Sequence, residues 1–344
     1  MLDVVKANEI VMYRNKYNYE QFDVFAQKEY CESLGVKPKD CIYIFSEQFI
    51  ILVAIIKKYI FRYAVLVSEV QCYSKNGNSS ETDFLNDVIE YIHKYYHVHW
   101  INQTGTYALY NSIPNNSVAI PFASYILDMD SSEEVLFSKM HSKHRNVVRR
   151  ALKVGVCVKF GDIELLDDYN EIDRETWARS GKSARGISYY RKLVENLSSV
   201  LVAIAYDSHN NPQAGAIIPY CAERGYYLHG CSSNDCVLGA SNLLQWEIIR
   251  ELKKRGVKSY DFVGCRIDAD KDSKYHNIQR FKERFGGSLR VGIMFKMIFV
   301  KHMYNLYRKI IGLRDGVPYY DIIDQEINKW KDKNLEIVLE ELRS

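Results

Sequence analysis

In "NIQRFKERFGG", residues 277–287, Lys282 stands between two phenylalanines ahead of a glycine pair. Ile278, Phe281 and Phe285 recur at i, i+3 and i+7, so they share one face of a helix. Gly286 supplies a left-handed stop. The pattern sets the Lys282 ammonium on the flank of that helix as a cation braced by rings, although a solvated lysine on an amphipathic helix has the same signature. His229, in "GYYLHGCSS", has a side chain that titrates near neutral pH; a strand histidine beside two tyrosines also suits a structural role. No serine or cysteine stands in a nucleophile turn such as GxSxG. None of the eight cysteines forms a CxxC pair. Cys221, His229, Cys231 and Cys236 follow no zinc-knuckle spacing, so reduced thiols and no metal are expected.

The elements that must hold these residues follow from period and punctuation. "FIILVAIIKKYIFRYAVLV", residues 49–67, is interrupted by Lys57, Lys58 and Arg62. It reads as two buried strands around a turn rather than a membrane span. "DFLNDVIEYIHKYYHV" is helical, with Phe84, Val88 and Ile92 on one face and Leu85 and Ile89 beside them. Short strands are expected in "HVHWIN", "TYALYN" and "SVAIP". A second unit begins near Phe122 and reads strand, capped helix, strand over 124–160. Ser131 and Glu134 make a capping box. Phe137, Met140, Val147, Val148 and Ala151 fall on one side of that helix. Lys139, Lys143, Arg145, Arg149 and Arg150 form the rest, either a solvated basic face or a surface for phosphates or anionic lipid. Two helices around a Gly/Ser break occupy 168–197. Strands follow in "SVLVAIAY", "QAGAIIPY" and "GYYLHGCSS". The long helix "SNLLQWEIIRELKKRG" has Leu244, Ile248 and Leu252 on one face and Gly256 as its stop. "VKSYDFVGC" is a strand, and the Lys282 helix comes after it.

A chain of 344 residues suggests about two domains. Its 47% hydrophobic and 26% charged residues are those of an ordinary soluble protein. The formal net charge of +3 is too small for a dedicated nucleic-acid domain. The N-terminus lacks the charged-then-apolar order of an export signal, so a cytoplasmic location is expected.

From 122 onward, the order helix, strand, helices, three-strand meander, helix, strand, helix resembles the GNAT acyltransferase fold. The resemblance puts the acyl donor's pyrophosphate at a helix N-terminus, where free N–H groups and the helix dipole favour an anion. Here that is "SNDCVLGASN", with Gly239, Ala240 and Ser241 as donor-binding residues and Gly239 leaving room for phosphate. Four segments together resemble the FemAB family, the peptidoglycan interpeptide-bridge aminoacyltransferases, and their acetyltransferase relatives. They are "KHRNVVRRALKVGVCV" (143–158), "GYYLHGCSS" (225–233), "ASNLLQWEIIRELKKRGVKSYDFVGC" (240–265) and "RFKERFGG" (280–287).

The resemblance implies an α/β fold of two tandem GNAT-like domains, each a mixed twisted sheet flanked by helices, with no coiled-coil arm. The first domain would be 1–121, completed by 295–344, and the second 122–294. The implied reaction is attack by an acceptor amine on an activated acyl carbonyl, with aminoacyl-tRNA or acyl-CoA as donor and no tightly bound cofactor. Phe281 and Lys282 match the family's Phe-Lys pair at the acceptor site, where the lysine stabilises developing charge. Arg185 and Tyr189 match the spacing of an arginine and tyrosine near an acceptor diphosphate. Tyr226, Tyr227 and His229 extend that groove. Since the donor is already reactive, the protein mainly positions the reactants and stabilises an oxyanion. Asp261 is the best candidate carboxylate for proton transfer, and a carboxylate bracing a loop fits it equally. The implied partners are a nucleotide- or lipid-linked envelope precursor and charged tRNA. Two alternatives stand beside this reading: an acyl-CoA-dependent N-acyltransferase of a sugar or small molecule, and a non-catalytic GNAT-like binding protein. Finally, residues 294–314 carry Val300, Met303, Tyr307, Ile310 and Ile311 on one helical face with basic residues beside it. That is the pattern of a membrane-surface helix, but the favoured expectation is burial of this face against the first domain.

Overall fold

Ile50 to Ile55 form an unbroken run of apolar, mostly β-favouring residues, all buried in the strand Phe49–Lys58. In this computed structural model, which describes residues 2–335 except 18, 75–78, 104, 268, 272 and 331–334, the chain divides into two compact units. One comprises 1–31, 35–123 and 291–344, the other 32–34 and 124–290.

In the first unit Phe49–Lys58 pairs antiparallel with Cys41–Phe45 and with Phe61–Leu66, so Lys57, Lys58 and Arg62 sit around a hairpin tip as the sequence suggests. Trp100–Gln103 adds in parallel, and Ser288–Ile298 pairs antiparallel with it. The helix Glu81–Tyr96 starts at a Ser80–Asp83 capping box and buries Phe84, Leu85, Val88, Ile89 and Ile92 against Ile42, Ile51 and Val53. "TYALYN" forms no strand, only a single bridge from Tyr110 to Ile293. "SVAIP" is part of a longer strand, Val118–Asp128. The helix Lys301–Asp315 buries Tyr304 against Phe61 and Trp100 but leaves Ile310 exposed, so the expected burial of its apolar face is only partial. Lys296 fastens this region. Its Nζ lies 2.9 Å from Asp321 Oδ2, 2.6 Å from Asp324 Oδ1 and 3.0 Å from the Tyr304 hydroxyl.

In the second unit Cys157–Gly161, Val200–Tyr206, Pro212–Pro219 and His229–Ser232 form an antiparallel sheet. "GYYLHGCSS" is not one strand. Arg224–Tyr226 pairs in parallel with Ser259–Asp261, after which the chain leaves that partner and His229–Ser232 joins Pro212–Pro219. The two neighbours thus diverge just beyond Tyr226 and Asp261. The long helix is Ala240–Lys254, with Leu244, Ile248 and Leu252 buried and Gly256 at φ 80°. The expected basic helix is two: Glu133–Lys139, capped by Ser132 rather than Ser131, and Ser142–Lys153, capped by His141. The break arises because Met140 turns extended and the Arg145 guanidinium takes the Ser138 and Met140 carbonyls. Val147 is only half-buried, and His144 takes a place in the buried stripe with Val148 and Ala151.

Candidate active site

Lys282 is not on the flank of its helix. Within Lys274–Glu283 it is the buried residue, whereas Ile278 is exposed and Phe281 half-buried. Phe285 lies beyond the helix and is fully buried, with Gly286 at φ 86° forming the expected stop. The helix is therefore rotated from its apolar period, and the Phe281 ring packs against His144 and Phe285 instead.

What turns Lys282 inward is the backbone it meets. Its Nζ donates to the Val263 carbonyl and, at 2.8 Å, to the Gly264 carbonyl. These carbonyls converge because both residues are left-handed, Val263 at φ 49° and Gly264 at φ 63°. A β-branched residue in that region is strained, and such strain is characteristic of functional sites. Asp261 holds the turn: its carboxylate accepts the Val263 N–H at 2.7 Å and the buried Ser124 hydroxyl, with the Arg224 guanidinium at 3.9 Å. Of the two roles read for Asp261, these bonds match the brace. Burial pushes the Lys282 pKa down to about 8, against smaller opposing effects of Cys265 and Asp261.

A second group forms where the two strands have diverged. The exposed Arg185 stacks over the Tyr189 ring at 4.7 Å. The Tyr189 hydroxyl lies 3.2 Å from His229 Nε2. The Tyr190 ring flanks His229 at 5.4 Å, and its hydroxyl donates to Asp173 at 2.9 Å. Burial, aided by Arg185, pushes the His229 pKa down to about 3, so this ring is neutral at pH 7 and a weak base. Burial likewise raises the Asp173 carboxyl. Arg185, Tyr189 and His229 are thus brought together as expected, while Tyr190 and Asp173 were not singled out from the sequence. A signal existed for Asp173: with Tyr169 and Ile172 it falls on the buried stripe of the helix Leu166–Ala178.

Tyr226 ends the strand Arg224–Tyr226, and Tyr227 follows it. Tyr226 is buried beneath Arg224, and the Tyr227 N–H donates to the Asp261 carbonyl at 2.9 Å. Gly239 begins the long helix at φ 93°, but a side chain there would meet the Val147 carbonyl at 2.2 Å. The glycine admits a neighbouring helix, and its open space is taken. The Ala240 N–H is bonded to Val237, and Ser241 is half-buried.

The family model described as the FemAB family matches residues 110–206 and 195–310. A lipid II:glycine glycyltransferase of Staphylococcus haemolyticus is 22% identical over 258 residues, 55% of this chain and 62% of that protein. One from Staphylococcus aureus is 22% identical over 260 residues, with the same shares. The chain thus spans about three-fifths of the length of the curated relatives it matches. Among solved structures, FemX superposes with a TM-score of 0.67 at 17% identity, covering 89% of this chain and 99% of that one. A tandem GNAT protein from the clavulanic acid pathway gives 0.50 at 10% identity, covering 87% and 99%. These structural likenesses show the fold: α/β, with twisted mixed sheet flanked by helices, as in tandem GNAT proteins. Among the described residues no helix is long and apolar enough to cross a membrane.

Proposed function

Because this chain belongs to the FemAB family, we propose that it is an aminoacyltransferase that forms an amide on an amine of a lipid- or nucleotide-linked cell-envelope precursor, as the names of its relatives suggest. The observation that carries the reading is the seat of Lys282. An ammonium has three N–H donors. The Val263 and Gly264 carbonyls take two, and the third is aimed by them.

In the reaction the acceptor nitrogen attacks the ester carbonyl carbon of a charged tRNA. The carbonyl oxygen becomes an oxyanion, the ester C–O bond breaks, and the ribose hydroxyl leaves with the proton that the amine gives up. Lys282 supplies a preorganised cation to the oxyanion in a largely dry site. Asp261, through Val263, is a positioning residue for that cation. The exposed Arg185, stacked on Tyr189, suits an acceptor diphosphate, since a guanidinium fork bonds phosphate oxygens at two points. An ester donor needs no bound cofactor. Charged tRNA is favoured over acyl-CoA because the helix start at Gly239 is filled by Val147 and the Ala240 N–H is already used.

The test offers purified protein an amine-bearing muropeptide, lipid- or UDP-linked, with glycyl-tRNA, a pool of other charged tRNAs, or acyl-CoAs. Amide product is read by mass spectrometry. Product from a charged tRNA is expected. Product from acyl-CoA alone would transfer the donor role to the thioester, and acceptor binding without turnover on any donor would reduce the chain to a binding protein.

A further inference from the structure

The first unit carries a surface that amide formation leaves unused. The helix Lys301–Asp315 exposes Leu306, Ile310 and Leu313, the last at 74%, and Val317 and Tyr320 continue the exposed apolar set. Leu306, Ile310 and Leu313 stand at i, i+4 and i+7, so they share one face. Beside this helix lies the hairpin tip, where Tyr59 is 93% and Ile60 60% exposed. The Phe61 ring packs on Tyr307 at 5.4 Å and joins tip to helix.

The charges on these two segments are mostly of one sign. "KKYIFR", 57–62, and the helix 301–315 hold Lys57, Lys58, Arg62, Lys301, Arg308, Lys309 and Arg314 against one carboxylate, Asp315, which pairs with Arg314, while Arg308 lies 3.6 Å from Asp324. These seven cations exceed the net charge of +3 of the whole chain, so the rest of the molecule is net acidic. Lys57, Lys58, Lys301 and Lys309 form no ion pair among the described residues. A groove of about 460 Å³ adjoins the helix, with Arg308 and Lys309 beside Leu313, Val317 and Tyr320.

From this juxtaposition we propose that the hairpin tip 57–62 and the helix 301–315 form a docking face for an anionic lipid bilayer. Apolar side chains enter the headgroup boundary, and flanking lysines and arginines meet lipid phosphates. Tyrosine, with an apolar body and a polar tip, suits that depth. A second copy of the chain is disfavoured as occupant because like charges would face each other. The face would bring the protein to lipid-linked molecules whether or not it transfers acyl groups.

The test is co-sedimentation of the full chain with vesicles of neutral phosphatidylcholine, or of phosphatidylcholine mixed with phosphatidylglycerol. Binding only to the anionic vesicles at low salt, lost at about 0.5 M salt, is expected. Lys301→Ala with Lys309→Ala should weaken it about twentyfold. Ile310→Ser with Leu313→Ser should weaken it about tenfold or more. These side chains are exposed, and an unchanged melting curve verifies the fold. Three results would overturn the proposal: no binding at low salt, equal binding to both vesicle types, or both double variants binding like the parent. Concentration-dependent dimerisation abolished by Leu313→Ser, without vesicle binding, would assign the face to a second copy instead.

Discussion

Lys296 in the first unit and Lys282 in the second are both buried, 2% and 8% exposed, yet their surroundings differ in kind. Lys296 meets two carboxylates and a phenol, so its charge is cancelled where it stands. Lys282 meets two neutral carbonyls and forms no ion pair among the described residues. A cancelled cation fastens elements together. A cation held only by dipoles costs stability and keeps its field for something else. The second arrangement is stable only because surrounding structure enforces it, and the Val263–Gly264 turn with its Asp261 brace does so.

The contrast can be broken most forcefully at Lys296. Lys296→Met strands Asp321 and Asp324 beside an apolar side chain, and breaking a buried ion pair costs about 4 kcal/mol. Chemical denaturation should show that loss. A change below about 1 kcal/mol would mean that Arg308, 3.6 Å from Asp324, replaces the lost cation. At Lys282 the effect should fall on rate. Lys282→Met removes an uncompensated charge while freeing two carbonyls, so stability should shift by about 1 kcal/mol or less. Acyl transfer should drop about a hundredfold, near 3 kcal/mol of transition-state stabilisation. A variant that melts early but turns over normally per folded molecule would make Lys282 another fastening.

The smallest effect is in the pH dependence. With the Lys282 pKa lowered to about 8 in the folded protein, the unfolded chain binds one more proton between pH 8 and its ordinary value of 10.5. The penalty is therefore complete below pH 8 and relieved as pH rises through that window. Relative to Lys282→Met, the parent should gain about 2 kcal/mol of stability between pH 7 and pH 10. Transfer that depends on the cation should fall as pH passes 8. A flat stability difference would remove the case for an unpaired buried charge.

Much of the scaffold around these lysines was legible because it obeys local rules. The stripe Leu244, Ile248 and Leu252, the helix carrying Phe84 and Val88, and the stops at Gly256 and Gly286 follow from period and backbone preference. The Lys282 seat does not. A valine gives no sign that it will adopt a left-handed conformation, and the period of Ile278, Phe281 and Phe285 points the helix the wrong way. The winning term there is tertiary: two carbonyls 18 and 19 residues upstream capture an ammonium. Similarly, nothing local joins Tyr189 to His229 across 40 residues. The Arg185–Tyr189 spacing marked one side of that contact through its resemblance to a family pattern, and the fold supplied the other.

The carbonyl seat also gives Lys282 a direction that does not depend on its protonation. An amine has two N–H bonds and a lone pair where an ammonium has three N–H bonds. If the Val263 and Gly264 carbonyls hold two hydrogens in either state, only the third position changes. Below pH 8 it is a hydrogen aimed outward. Above pH 8 it is a lone pair on the same axis, able to accept a hydrogen from a donor placed there. The backbone sets the bearing of this atom, and the solution sets its polarity.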